Sequence, residues 1–189
     1  MITLIIVDCQ NDFITGTMSI QGARSYVEEI KKFIKRHLNE IEKIIFTIEW
    51  HPYNHKSFKK FGGIHPSHCV QYTPGACIEP KLLKYVQSLN LNYEVSERGV
   101  LQEDSQEGAC EEIEFVQDCL GSVYYFDSIA SASADSHFIT CGVDTYGAVK
   151  STIDNLIKGG ILTQIFQYGI VPNDGTNKYI KEKNLEKIV

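Results

Sequence analysis

The order of apolar and polar positions along the chain predicts alternating strands and helices. Residues 2–7 form a short, continuous and mostly β-branched run, which is typical of a strand buried on both faces. In residues 23–37 apolar side chains recur every three or four positions, which indicates a helix with one buried face. The further predicted strands are residues 43–48, 92–95, 138–143 and, as the last strand, 161–171, and the further predicted helices are one beginning near Pro80, 107–119, 148–158 and 177–185.

This alternation predicts the fold class. Strands that are each followed by a helix imply right-handed crossovers and neighbouring parallel strands. We therefore expect a three-layer α/β fold, a mostly parallel sheet with helices on both faces, as a single domain over residues 1–189. The segment 50–75 is long for a loop in such a fold. Loops of that length usually carry function.

Composition narrows the classes of partner. Hydrophobic residues make up 43% of the chain and charged residues 22%, with a net charge of −6, which favours a globular protein and argues against nucleic acid or an anionic membrane as a partner. The six cysteines lack CxxC spacing, and the first residues lack the pattern of a signal peptide. We expect reduced thiols and a cytoplasmic location.

Candidate chemistry follows the predicted strands, because ligands of parallel sheets bind outside the carboxyl ends of the strands. Asp8 comes directly after the first strand, either as a cap or as an acid/base. Glu49 and His51 follow the second strand. Imidazoles and a carboxylate together suit zinc first, with manganese or iron as alternatives, although a loop histidine can equally bind backbone. The same loop holds His55, His65 and His68.

A third candidate stretch is residues 142–149, GVDTYGAV, which lead from a strand into a helix. Free backbone N–H groups at a helix start can stabilise an oxyanion, so a nucleophile is expected there in an enzyme. The chain offers Thr145 and Tyr146 before the helix and then Ala148, which cannot act as a nucleophile. As a good helix former, Ala148 is also explained without any function.

Three motifs together carry a family resemblance. They are DCQNDF at residues 8–13, WHPYNHKSF at residues 50–58 and HCVQYTPGA at residues 68–76. The chain resembles the nicotinamidase branch of the isochorismatase-like cysteine hydrolases over residues 2–171. The resemblance implies a cysteine that attacks a carboxamide, an aspartate that shuttles the proton, an assisting lysine, and a metal that holds the ring nitrogen. At the matching positions Asp8 is the acid/base, His51 and His68 are metal ligands, Phe13, Trp50, Val143 and Asp144 line the ligand pocket, and residues 142–144 form a turn with a non-proline cis peptide.

The departures from the family pattern all concern the implied site. Glu49 stands where the family has an aspartate as the metal carboxylate, and Arg98 stands where it has the lysine. Ala148 stands at the position of the nucleophilic cysteine. Residues 104–110 also differ, with the loss of a pocket aromatic. Of the thiols nearby, Cys9 and Cys141 fit small core residues better than a substitute nucleophile.

Three hypotheses follow from this pattern. The first is a catalytically impaired relative, with Ala148 and Arg98 in the catalytic positions, that retains a metal and a pocket for a small aromatic amide or related ligand. The second is an active amidohydrolase, converting a nicotinamide-type carboxamide to the acid and ammonia, whose cysteine has been replaced in this sequence or which uses metal-activated water with Asp8 as base. The third is a purely structural subunit. In this third hypothesis the subunit belongs to a homo- or hetero-oligomer, and a homo-oligomer is the assembly we expect for the chain.

Overall fold

The computed structural model describes residues 1–99, 137–171, Tyr179, Lys183 and 185–188. The predicted helix 107–119 lies outside these residues, and so does most of the predicted closing helix 177–185. None of the described helices is long and apolar enough to cross a membrane. The strands are β1 Ile2–Val7, β2 Ile41–Glu49, β3 Tyr93–Arg98, β4 His137–Val143, β5 Thr163–Val171 and β6 Lys187–Ile188; the α-helices are α1 Asn11–Ile14, α2 Ala23–Arg36, α3 Pro80–Ser88 and α4 Lys150–Lys158.

These strands form one parallel sheet, in the order β3-β2-β1-β4-β5-β6. The α/β class and the parallel sheet confirm the prediction. The helices α2 and α3 pack against each other, and α4 connects strands on the other side of β1. Because parallel crossovers are right-handed, this reversal of direction puts the two sets of helices on opposite faces.

The core is built where the sequence is most continuously apolar. Every residue of β1 is buried, and in β2 the central run from Ile44 to Ile48 is buried as well. The helix α2 turns one apolar face inward, with Val27, Ile30 and Ile34 among the buried side chains. The strands β1 and β2 are therefore buried on both faces over these runs, and, because they are parallel, their carboxyl ends lie at the same end of the sheet.

Two predicted features need correction. The strand 161–171 is not the last, since β6 follows it and pairs with β5. The helix predicted from residue 148 is preceded by a π-helical turn, Thr145–Val149, and α4 proper begins at Lys150. A two-residue edge strand and a π turn are both too short to leave a periodic signal in the sequence.

Candidate metal centre and active site

The carboxyl ends of β1, β2 and β3 bring three charged side chains together. Glu49 and Arg98 end neighbouring strands and are paired in register. Asp8 follows β1, and its N–H donates to the Thr47 carbonyl of β2 at 2.9 Å. Asp8 has a positive φ of 51°, so the chain turns sharply as it leaves the strand. The sheet itself therefore sets the relative positions of these three residues.

Glu49, His51 and His68 form a cluster of possible metal ligands, whose ligand atoms all lie within 4.8 Å of one another. Glu49 Oε2 is 2.9 Å from His68 Nε2 and 3.3 Å from His51 Nε2. The other nitrogen of each imidazole binds backbone: His51 Nδ1 donates to the Gly99 carbonyl and His68 Nδ1 to the Pro66 carbonyl, both at 2.8 Å. The two histidines are buried.

The hydrogen-bond pattern of this cluster fits a divalent metal. A carbonyl only accepts, so each Nδ1 carries the proton and, in a neutral ring, each Nε2 directs a lone pair at the Glu49 carboxylate. Such acceptors face one another favourably only around a proton or a cation. Ligating histidines in proteins commonly show this arrangement, with the second nitrogen tied to a carbonyl. Two imidazole nitrogens and one carboxylate oxygen form a set that zinc accepts, and manganese and iron also take mixed nitrogen and oxygen ligands.

Neighbouring charges shift the pKa values of His68 and Glu49. Burial lowers the pKa of His68, but the hydrogen bond and the charge of Glu49 outweigh it and raise that pKa above its ordinary value. Burial alone would raise the pKa of Glu49; the charge of Arg98 and the bonds to the two histidines hold it well below its ordinary value. Glu49 is therefore an anion that attracts a cation to this point.

Arg98 connects the cluster to Asp8. Its Nη2 lies 3.0 Å from Glu49 Oε1 and also contacts Asp8 Oδ2, while Nε donates to Asp8 Oδ1 at 3.3 Å. Asp8 is almost fully buried. Burial raises the pKa of Asp8 to about 7, with Arg98 opposing the rise and Glu49 adding to it. Arg98 thus places one guanidinium between two carboxylates.

The stretch after β4 contains the non-proline cis peptide that the resemblance implies, and Ala148 lies in the π-helical turn that follows. The peptide bond between Val143 and Asp144 is cis. Gly142 has a φ of 131°, and a Cβ there would overlap the Val7 backbone of β1. Ala148 is half-buried in the π-helical turn, and its carbonyl accepts from Thr152 Oγ1 at 2.8 Å.

Three buried thiols near the sheet lack the properties of a nucleophile. Cys9 and Cys141 are buried, as expected of core residues, and burial raises the pKa of Cys9 to about 12 and that of Cys141 well above its ordinary value. Burial and the neighbouring Glu49 raise the pKa of Cys69 as well. A nucleophilic thiol needs a lowered pKa and some exposure, and these three have neither. Residues 104–110, Cys110 and Cys119 lie outside the described residues.

No protein-family model matches the chain. It is 32% identical to the nicotinamidase of Escherichia coli over 95 residues, which cover 42% of this chain and 45% of that protein. It is 36% identical to the nicotinamidase of Saccharomyces cerevisiae over 62 residues, which cover 32% of this chain and 29% of that protein. The chain is a relative of the nicotinamidases. The matched parts span less than half the length of these curated relatives.

Solved structures share the fold of this nicotinamidase relative over its full length. The yeast nicotinamidase aligns with a TM-score of 0.78 at 20% identity, covering 100% of this chain and 99% of that one. Its complex with the inhibitor nicotinaldehyde aligns at 0.75 and 21% identity, with the same coverage. The pyrazinamidase of Pyrococcus horikoshii, in complex with zinc, aligns at 0.72 and 20% identity, covering 99% of this chain and 98% of that one. The fold is therefore isochorismatase-like.

The other two histidines of the segment 50–75, His55 and His65, contact the imidazoles of the cluster. His55 is fully buried, stacks on His51 with ring centroids 4.2 Å apart, and its Nδ1 lies 2.8 Å from Ser57 Oγ. His65 lies edge-on to His68 at 5.7 Å. Neither His55 nor His65 belongs to the cluster of possible metal ligands.

The predicted pocket residues stand at different depths. Phe13 is buried, with its ring edge-on to His68 at 5.9 Å between centroids. Trp50 is half-buried and contacts the exposed Tyr72 at 5.5 Å. Val143 is buried and Asp144 half-buried at the end of β4. Phe13 thus contributes an aromatic ring near the cluster, together with the buried Phe58, whose ring lies 5.4 Å from that of His68. Trp50 lies nearer the solvent.

Two buried polar residues position the cluster, and the sequence reasoning missed both. Gln10 binds the Glu49 backbone: its Oε1 accepts from the Glu49 N–H at 2.8 Å, and its Nε2 donates to the carbonyls of Glu49 at 2.7 Å and Ala76 at 2.8 Å. Asp12 Oδ2 accepts from the Cys69 N–H at 2.7 Å, next to His68. Both lie within the matched DCQNDF motif, and that motif was the available signal.

Proposed function

We propose that this nicotinamidase relative binds a divalent metal and a small aromatic amide or related ring ligand, and does not hydrolyse amides by the cysteine route. The proposal rests on one observation: the possible metal ligands are present together, but a nucleophilic cysteine is not found with them among the described residues. The Glu49, His51 and His68 acceptors converge on one point, whereas Ala148, where the resemblance implies the nucleophilic cysteine, has only a methyl side chain. The cysteine route requires its thiol, since the members of such a catalytic unit fail together.

His51 Nε2, His68 Nε2 and Glu49 Oε2 would hold the metal. Zinc leads, with manganese or iron as alternatives, and the Pyrococcus pyrazinamidase with bound zinc supports this order. When bound, the metal would supply a Lewis-acid site for a ring nitrogen. Phe13 would provide an apolar wall beside it. The complex of the yeast relative with nicotinaldehyde supports a ligand of this size and type.

Asp8 and Arg98 would set the polarity at the carbonyl end of the ligand. Arg98 contacts both carboxylate oxygens of Asp8. This pairing engages the group that would otherwise exchange protons with a reacting amide, and arginine cannot itself release a proton at physiological pH. The arrangement therefore favours retention of an intact ligand.

One observation favours a second candidate, a metal-dependent amidohydrolase without a covalent step. The pKa of Asp8 is raised to about 7, close to the value that suits a general base at neutral pH. In this route Asp8 takes a proton from a water molecule, and the oxygen of that water bonds to the carboxamide carbon. The proton then passes to the nitrogen as the C–N bond breaks, and acid and ammonia leave.

A single set of measurements on the purified protein separates the two. Ammonia release from nicotinamide and pyrazinamide is measured beside the metal content, with His68→Ala as the variant that lacks a ligand. We expect bound or bindable zinc in the unchanged protein, weaker binding in His68→Ala, and no turnover. Turnover at an ordinary enzymatic rate of about 1–1000 per second that Asp8→Asn abolishes would establish the second candidate instead. Failure to take up zinc, manganese or iron would refute the metal site. The homo-oligomer and the cytoplasmic location stay predictions.

A further inference from the structure

The two oxygens of the Glu49 carboxylate contact different groups. Glu49 Oε1 lies 3.0 Å from Arg98 Nη2. Oε2 lies 2.9 Å from His68 Nε2 and 3.3 Å from His51 Nε2. A glutamate side chain has three rotatable bonds, so its carboxylate can turn away from a ligand cluster unless a neighbour holds it. Here that neighbour is the guanidinium.

Both the side chain and the backbone of Arg98 are fixed by neighbouring groups. Its side chain, which is 23% exposed, contacts Asp8 through both Nε and Nη2. Its backbone is paired with Glu49 in the β2–β3 ladder, and its carbonyl accepts from the Trp50 N–H at 2.9 Å. The strand and the buried Asp8 carboxylate thus fix the position of the guanidinium independently of its contact with Glu49.

We propose that Arg98 is a positioning residue of the metal site, acting through Glu49 by binding Oε1 and leaving Oε2 to the metal. The inference rests on the proposed metal binding and adds a role that the arginine takes in this chain. Groups that hydrogen-bond to a ligating carboxylate typically change metal affinity 10–100-fold when they are removed. Arg98 is placed to be such a group.

Charge alone predicts the opposite result. A guanidinium close to a divalent cation repels it, so removal of Arg98 would strengthen metal binding if repulsion dominated. In this site the guanidinium charge already faces the carboxylates of Asp8 and Glu49. Its repulsion is therefore largely offset, and the orientation of Glu49 decides the sign.

The test measures zinc affinity of the full chain by competition with a chromophoric chelator. Arg98→Met removes the guanidinium and keeps an unbranched apolar stem, and Arg24→Met, at an exposed position of α2, is the matched control. We expect zinc binding to weaken about 10–100-fold in Arg98→Met, to recover in part in Arg98→Lys, and to stay unchanged in Arg24→Met. Arg98→Lys also serves if Arg98→Met does not fold.

A second background tests whether Arg98 acts through Glu49. In Glu49→Ala no carboxylate remains to be positioned, so adding Arg98→Met is expected to leave zinc affinity unchanged or to raise it. The visible spectrum of the cobalt-loaded protein is expected to change on Arg98→Lys, because the orientation of the ligating carboxylate changes.

Three outcomes would count against the inference. Unchanged or tighter zinc binding in Arg98→Met shows that orientation does not dominate, and equal weakening in the Glu49→Ala background shows that Arg98 acts elsewhere. Either result leaves the proposed function standing. Failure of the unchanged protein to bind zinc refutes the metal site, and this inference falls with it.

Discussion

At the scale of single residues, Gly99 makes room for the imidazole of His51. Its φ is 68°, its carbonyl accepts from His51 Nδ1, and a Cβ at this position would overlap the His51 ring. Gly99→Ala therefore cannot be accommodated without displacing His51. We expect this variant to lose about 1–2 kcal/mol of folding free energy from the left-handed backbone and to bind zinc at least tenfold more weakly, as measured by unfolding in urea and chelator competition.

Gly160 provides the matched control for this variant. It has a similar φ of 78°, and a Cβ there would meet nothing within 4 Å. Gly160→Ala should show a comparable loss of stability and retain the zinc affinity of the unchanged protein. Equal zinc affinity in the two variants would mean that Gly99 serves the backbone turn alone.

Gln10 is the residue whose removal should most disturb the Glu49 backbone. It is fully buried, and its amide satisfies the N–H and carbonyl of Glu49 and the carbonyl of Ala76. Each buried group left unpaired costs about 1–3 kcal/mol. Gln10→Leu should therefore lower the free energy of unfolding by at least about 2 kcal/mol and weaken zinc binding. The exposed Gln21 is the control: Gln21→Leu should change neither quantity, and a Gln10→Leu protein of unchanged stability would contradict the role.

Asp8 should make the stability of the metal-free protein depend on pH. In the native protein burial raises its pKa to about 7, whereas the unfolded chain releases the proton near the ordinary value of 3.8. Between these values the native state binds more protons, so the contribution of Asp8 to stability falls as the pH rises through this window. Unfolding in urea with a chelator present, from pH 4.5 to 7.5, measures it. Relative to Asp8→Asn, we expect a decline of up to about 1.4 kcal/mol per pH unit, and parallel profiles would exclude the raised pKa.

At the scale of elements, the sequence predicts best the strands that are buried on both faces. β1 was predicted at its observed bounds, because its apolar run begins and ends with the strand. β3 was predicted to end at residue 95, but it continues to Arg98 through the polar residues Ser96 and Glu97. Pairing with β2 extends it, and a local pattern does not contain that partner. This extension is what brings Arg98 alongside Glu49.

The candidate site divides in the same way. Local sequence shows that Glu49 and four histidines follow one strand, and the family resemblance selects His51 and His68 among them. Their convergence depends on contacts between segments distant in sequence, such as the bridge between His51 and Val70. The bridging position of Arg98 could not be read from the chain, since its two partners lie 90 and 49 positions away from it.

At the scale of the whole molecule, strand order explains why all these groups meet. From β1 the chain proceeds to β2 and β3 on one side and reaches β4 and β5 on the other. Connections in opposite directions leave a crevice at the carboxyl ends of β1 and β4, where ligands of such sheets bind. Asp8 follows β1, and the turn with Ala148 follows β4. The parallel pairing of β1 with β4 therefore brings Asp8 and the turn with Ala148 to the same end of the sheet.

If Ala148 stands at the position of the nucleophile, as proposed, this arrangement predicts that a double variant gains amidase activity. Ala148→Cys restores a thiol at the nucleophile position, and Arg98→Lys replaces the fork that engages both oxygens of Asp8 by one ammonium, which frees Asp8 to accept a proton. We expect the double variant, loaded with zinc, to release ammonia from nicotinamide or pyrazinamide measurably above the unchanged protein. Ala148→Cys alone should do so less, because Asp8 stays paired with Arg98.

Ala148→Ser with Arg98→Lys is the matched control, since a hydroxyl at this position lacks the ready ionisation of a thiol. It should remain close to the unchanged protein. Labelling of the introduced thiol by an alkylating reagent, prevented by bound ligand, would show that the thiol faces the ligand site. A zinc-loaded double variant whose introduced thiol is labelled, yet which releases no ammonia, would show that loss of activity extends beyond these two positions into the ligand pocket itself.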